Sequence, residues 1–161
     1  MKNFTVPDIC DIHEDIQIGD VFLNSYGGID KFCGEIQTAK CEHSNSAVKE
    51  LVEKDGNGKV LFIDHTGSEL CSMVGDQIAQ KAFDNGWNGI ITNGYIRDIE
   101  VIKDISIGVY ARNSYPKKTN KSIGIGEISV PIKINNLLIN PGEWIYVDSN
   151  GWVISKLELE F

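Results

Sequence analysis

The sequence is short of positive charge, of paired cysteines, of proline and of long apolar runs, and each shortage removes a class of function. Fifteen Lys and Arg stand against 23 Asp and Glu among 161 residues, a formal charge of −8. A protein that neutralises a phosphate backbone needs the opposite balance, so direct nucleic-acid binding is not expected. A small anionic ligand stays open, because one local cation or bound metal suffices for it whatever the net charge. Cys10, Cys33, Cys41 and Cys71 form no C-x-x-C pair and have no His at zinc-finger distance, so they read as reduced thiols. No apolar run is long enough to span a bilayer, and Met1-Lys2-Asn3-Phe4 opens into acidic residues with no apolar signal segment. A soluble, cytoplasmic protein without a membrane partner is expected. With no repeat, low-complexity tract or Pro/Ser-rich linker, residues 1–161 read as one domain.

What is present is a mixture of helical and strand patterns. Pro7 to Glu14 reads as a short helix with proline in its first turn, and Gly27-Gly28 as a turn. Residues 34–41 alternate at period two, as a half-buried strand does. Ala47, Val48, Leu51 and Val52 fall at helical spacing behind a Ser/Asn cap and before Gly56. Lys59 to Asp64 and Gly89 to Asn93 are continuous apolar runs, and a helix opens at Gly75-Asp76 between them and ends at Asn85-Gly86. Strand, helix and strand at these lengths make a right-handed βαβ unit with parallel strands. An acidic helical turn from Asp98 to Lys103 leads into a strand from Ile107 to Ala111. After Gly124 the pattern turns to β: Val130 to Ile139 reads as a hairpin about Asn135-Asn136, and Pro141-Gly142 and Asn150-Gly151 mark further turns. The expected fold is α/β, a β/β/α layered, swivelling-type domain with a βαβ parallel core and a C-terminal antiparallel layer.

In a βαβ unit the end of the first strand, the start of the helix and the end of the second strand lie at one sheet edge. Asp76 opens the helix, and Arg97-Asp98 follow the second strand after the twenty residues 77 to 96. Topology alone therefore brings the three charges together. Each has a plainer role: Asp76 as a helix-start carboxylate, Arg97 and Asp98 as a surface ion pair or cap. Together they could do more. The backbone N–H groups of Gly75, Asp76, Gln77 and Ile78 can receive a carboxylate, Arg97 can clamp it, and Asp98 can hold a divalent cation.

Gly75-Asp76, twenty residues, then Arg97-Asp98 resembles the signature of the divalent-metal-dependent 4-hydroxy-4-methyl-2-oxoglutarate/4-carboxy-4-hydroxy-2-oxoadipate aldolases. That superfamily also contains the regulator of ribonuclease E activity A. Cys10-Asp11-Ile12, Tyr26-Gly27-Gly28, Gly34-Glu35-Ile36-Gln37-Thr38, Gly124-Ile125-Gly126-Glu127, Pro141-Gly142-Glu143, Val147-Asp148 and Gly151 extend the likeness over nearly the whole chain. The N-terminal third, Ile9 to Glu14 and Asn24 to Cys41, is more similar to the ribonuclease regulators. The retained Asp76, Arg97 and Asp98 are similar to the aldolases. The resemblance implies Asp98 as ligand to Mg²⁺ or Mn²⁺, Gly75 to Ile78 and Arg97 as substrate-binding, and Asp76 and Arg97 as catalytic. It implies cleavage of a small 2-oxo acid substrate to pyruvate, with oxaloacetate decarboxylation as a side activity through the same enolate. It also implies a homo-oligomer, a homotrimer with Glu35 near a neighbouring subunit's site. The alternative is a non-enzymatic regulator whose acidic surface binds and inhibits a ribonuclease partner.

Other polar residues rank below these. Asp64 and His65 end the first strand at the same edge, with His65 a loop histidine in its plainer reading. His13 and His43 read as surface residues, Lys117-Lys118 and Lys121 as a solvated basic turn, and Trp87, Trp144 and Trp152 as core or interface aromatics.

Overall fold

The computed structural model describes residues 3–120 and 124–161. In chain order its elements are α1 (Val6–Ile12), β1 (Gln17–Ile18), β2 (Asn24–Ser25), β3 (Phe32–Cys41), α2 (Ser46–Val52), β4 (Val60–His65), β5 (Ser72–Val74), α3 (Asp76–Asp84), β6 (Gly89–Ile96), α4 (Ile99–Ile102), β7 (Gly108–Ser114), β8 (Glu127–Ile128), β9 (Ile132–Ile134), β10 (Leu137–Ile139), β11 (Trp144–Asp148) and β12 (Gly151–Ser155). Thr5 caps α1, its hydroxyl accepting from the Asp8 N–H, with Pro7 in the first turn.

The continuous apolar runs become the centre of the main sheet, because a strand covered on both faces has no polar side to show. Its order is β1-β12-β11-β3-β4-β6-β7-β2, with β3, β4, β6 and β7 mutually parallel. The one expected βαβ unit is therefore the middle of three consecutive crossovers, through α2, α3 and α4. Leu61, Ile63, Ile90, Val109 and Ala111 face the helices together with Val48, Leu51, Ile78, Ala82 and Ile102. Val60, Phe62, Ile91 and Tyr110 alternate to the opposite face, against Ile132, Ile139, Ile145, Val147 and Trp152. The β/β/α layering follows from this period-two alternation.

One connection was invisible in the pattern. The C-terminal strands also continue the sheet: β11 pairs antiparallel with the first half of β3, while β4 pairs parallel with its second half. The ten residues of β3 thus belong to both layers. The β9–β10 hairpin turns at Asn135, in the left-handed region at φ 50°, as the Asn-Asn pair predicts. Of the tryptophans, Trp87 and Trp152 are buried and Trp144 is half-buried, stacked on Tyr146. Among the described residues no helix is long and apolar enough to cross a membrane.

Candidate active site

The polar segment after β4 contains a strand too short to show periodicity. β5 pairs parallel with the far half of β6, Ser72 opposite Tyr95 and Val74 opposite Ile96, beyond the point where β4 stops pairing at Thr92. The Arg97 N–H donates to the Val74 carbonyl at 3.0 Å. The chain therefore leaves two neighbouring strands at the same level, into Gly75-Asp76 on one side and Arg97-Asp98 on the other. That register is what brings the charges together.

Asp98 sits in the left-handed region at φ 58° and ψ 36°, uncommon for a residue with a side chain but best tolerated by Asp and Asn. Its Oδ2 lies 3.4 Å from Arg97 Nε and accepts from the Asp76 N–H at 3.4 Å. The Gln77 N–H donates to Asp76 Oδ1 at 2.7 Å. Two amides at the start of α3 thus already face the chain's own carboxylates, where unpaired N–H groups and the helix dipole favour negative charge. Gly75 has extended backbone, and a Cβ there would lie 2.6 Å from Asp98 Oδ2. The absent side chain is the space that the carboxylate occupies.

These residues line an open cleft of about 660 Å³. Gly75, Asp76, Arg97 and Asp98 are half-buried, Gln77 exposed and Ile78 buried, and all six border the cleft. A smaller hollow of about 300 Å³ is also lined by Arg97 and Asp98.

The remaining lining extends the sequence reading. Lys117 and Lys118, solvent-exposed as their turn reading has them, also border the cleft, and Lys49 reaches it from α2. Backbone pairing holds the loop there: the Ser72 N–H donates to the Lys117 carbonyl at 2.8 Å, the Asn120 N–H donates to the His43 carbonyl at 2.8 Å, and the Ser72 hydroxyl donates to the Tyr115 carbonyl. Lys117 meets Glu69 at 3.5 Å, while Lys121 lies outside the described residues. Asn45 stands at the N-cap position of α2, yet its side chain makes no capping bond. It is buried, donating to the Met73 carbonyl at 3.0 Å and accepting from the Thr119 hydroxyl at 3.1 Å. The helical spacing behind Asn45 could have placed Lys49 on the same face, one turn on; nothing local told which wall the lysine pair would cover.

Asp64 and His65 do not join the cleft lining. Asp64 is buried and accepts from Asn93 Nδ2 at 2.6 Å. His65 Nε2 lies 3.7 Å from Cys71 Sγ, and its ring meets Tyr95 edge-on. Burial pushes the His65 imidazole below its ordinary value, and burial with the Glu69 charge pushes the Cys71 thiol up. This pair is neutral at pH 7 and is no thiolate–imidazolium nucleophile. His13 and His43 are half-buried, and His43 Nδ1 is sealed from solvent with no hydrogen-bond partner among the described residues. Glu35 pairs with Lys59 at 3.1 Å.

No group of three or more His, Cys, Asp or Glu that could cage a metal occurs among the described residues. What the cleft offers is two carboxylates. That set fits a hard ion such as Mg²⁺ or Mn²⁺, which keeps several waters and takes one or two carboxylates plus oxygens of its substrate.

Residues 6–154 match the sequence pattern of the RraA-like family, described as Aldolase/RraA. A Pseudomonas fluorescens protein provisionally named 4-hydroxy-4-methyl-2-oxoglutarate aldolase is 44% identical over 161 residues, covering 99% of this chain and 98% of its own. The crystal structure of a Geobacillus kaustophilus protein described as S-adenosylmethionine:2-dimethylmenaquinone methyltransferase superposes with a TM-score of 0.92 at 32% identity, covering 97% of each chain. The RNA-processing inhibitor RraA from Thermus thermophilus superposes at 0.93 with 28% identity, over 99% of this chain and 96% of that one.

Proposed function

The chain belongs to the RraA-like family, and from that premise we propose that it is a divalent-metal-dependent carbon–carbon lyase cleaving 4-hydroxy-4-methyl-2-oxoglutarate to two molecules of pyruvate. The relatives carry names for three different activities, so the reading rests on one observation: Asp76, Arg97 and Asp98 meet in a cleft whose lining carries more cations than carboxylates.

The reaction removes the proton of the C4 hydroxyl and breaks the C3–C4 bond. C4 becomes the carbonyl carbon of one pyruvate, and the electron pair passes to the other fragment as an enolate, which takes a proton at C3. When bound, the cation supplies Lewis-acid charge beside the 2-oxo group, and Asp98 is the residue to hold it, largely through water. The amides of Gly75, Asp76, Gln77 and Ile78 bind the C1 carboxylate at the start of α3, beside the Asp98 carboxylate. Arg97 touches Asp98 through Nε, and its terminal nitrogens stabilise oxygen charge as it develops. Asp76 orients a water that takes the proton of the C4 hydroxyl and delivers a proton to C3 of the enolate. Loss of CO₂ from oxaloacetate yields the same enolate, so decarboxylation accompanies the lyase activity.

The test is pyruvate release from either substrate with and without added Mg²⁺ or Mn²⁺. Activity should require the metal and vanish in Asp98→Ala and Arg97→Ala; metal-independent turnover, or full activity of either variant, overturns the proposal. The proposed setting is the cytoplasm, and the proposed assembly is a homotrimer, which light scattering of the purified protein tests directly through its mass. A second reading, a regulator that binds a ribonuclease, is favoured by the likeness to the Thermus RraA and the charge of −8. Capture of a ribonuclease at modest salt by an Asp98→Ala variant would support it; no capture together with metal-dependent turnover would remove it.

A further inference from the structure

We infer that Asn45 is a positioning residue of the cleft, acting through the Thr119 hydroxyl to hold the segment from Pro116 to Asn120 as one of its walls; the effect on turnover rests on the lyase reading above. Lys117, Lys118, Thr119 and Asn120 border the cleft, and of the five residues in that segment only Thr119 is buried. An exposed loop of this kind opens locally at little cost unless something fixes it. Backbone bonds tie it at two points, from the Ser72 N–H to the Lys117 carbonyl and from the Asn120 N–H to the His43 carbonyl. Thr119 adds a side chain set into the protein as a peg, and its hydroxyl donates to Asn45 Oδ1 at 3.1 Å.

Asparagine at an N-cap ordinarily accepts from an N–H of the first turn, yet Asn45 makes no such bond. Other groups cover those amides: Ser44 Oγ accepts from the Ser46 N–H at 3.3 Å, and the Ile125 carbonyl accepts from the Ala47 N–H at 3.1 Å. The Asn45 side chain is thereby released to bridge three segments. The Met73 carbonyl can only accept, so Nδ2 faces it, at 3.0 Å, and Oδ1 is left for Thr119. Asn45 and Thr119 are each 7% exposed, so water does not readily replace either bond, and a polar atom left unpaired there is costly. Met73 lies in β5, two residues before Gly75. One amide thus fixes the segment relative to the strand that delivers Gly75 and Asp76, which is what a wall of the cleft requires.

Limited trypsin digestion, with cleavage after Lys117 and Lys118 followed by mass spectrometry, reads the opening of the segment, and kinetics at saturating Mg²⁺ read its effect on the cleft. Thr119→Val keeps the branched shape and removes the hydroxyl, whereas Thr119→Ser keeps the hydroxyl. Cleavage tracks the open population when opening and closing are fast, and loss of one buried hydrogen bond raises that population about tenfold. Thr119→Val and Asn45→Ser should each raise cleavage by about tenfold or more, Thr119→Val should add nothing in the Asn45→Ser background, and Thr119→Ser should stay near the wild type. KM for 4-hydroxy-4-methyl-2-oxoglutarate should rise in step with kcat little changed, since a displaced wall removes binding common to the ground and transition states. Wild-type cleavage in Thr119→Val, single-variant effects that add in the double variant, or a wild-type KM while cleavage rises each overturns the assignment. Thr119→Val and Thr119→Ser carry the test if Asn45→Ser does not fold. If wild-type protein releases no pyruvate, the lyase reading fails by itself, and the cleavage measurements alone decide the assignment.

Discussion

Replacing Gly75 by Ala tests whether the position of the Asp98 carboxylate matters, because the perturbation is purely steric. Gly75 has φ −130° and ψ −175°, a conformation open to any residue, so the backbone gains no strain. The added methyl would lie 2.6 Å from Asp98 Oδ2 and 3.5 Å from Arg97 Nε. An ordinary carbon–oxygen contact is about 3.3 Å, so the carboxylate must retreat by about 0.7 Å. Misplacement by about 1 Å at a reacting site costs on the order of 10²-fold, which sets the expected loss in kcat/KM at about 10- to 100-fold. Folding should suffer much less. The Asp98 side chain is 34% exposed and can swing outward. Exchange of Gly for Ala at an N-cap costs about 0.5–1 kcal/mol, a Tm decrease of about 1–4 °C for a chain of this size. Pyruvate release, followed by coupled NADH oxidation at several Mg²⁺ concentrations, should show both the lower rate and a higher metal requirement. Wild-type kcat/KM in a Gly75→Ala protein of near-native Tm would refute the premise that Asp98 acts from its observed position.

Asp98→Asn and Asp98→Ala should both abolish pyruvate formation, but Asn tolerates the left-handed backbone, so Asp98→Ala alone should lose a further ~1–2 kcal/mol in urea unfolding. Burial, with the Asp64 charge adding to it, pushes the Cys41 thiol up from 9.0 to about 11. Its folded pKa exceeds its unfolded one, so the stability it contributes is complete below pH 9 and lost as pH rises to about 11; Tm should therefore fall less between pH 8.5 and 11 in Cys41→Ala than in the wild type. Phe32 lies across Gly89 and Gly108, its ring filling the space that a Cβ at either would need. Gly108→Ala should destabilise by about 1–3 kcal/mol, and in the Phe32→Leu background calorimetry should find a smaller increment; full additivity would show that the ring and the glycine do not interact.

Much of the fold was legible because its signals are local. The continuous apolar runs of β4 and β6 could only be strands covered on both sides, and the Asn135-Asn136 and Asn150-Gly151 pairs set their turns through their own backbone preferences. β5 was not legible: Ser72-Met73-Val74 is too short for any period, and only its partner β6 makes it a strand. The same limit applied in the cleft. The Lys117-Lys118 pair looks like any solvated turn until the Ser72 N–H takes the Lys117 carbonyl and lays the loop against β5.

The amino-acid sequence by itself determined the layer architecture and the sheet edge at which Asp76, Arg97 and Asp98 lie, because strand–helix–strand connectivity brings those ends to one edge, while the pairing of β5 with β6 set the register at which they meet. Tertiary structure alone decided what surrounds them. Lys49 and Asn45 reach the cleft from α2, more than 25 positions before Gly75, and Lys117 and Lys118 arrive from a loop beyond β7. No periodicity within a segment encodes which segments will be neighbours; long-range pairing and burial supply that information.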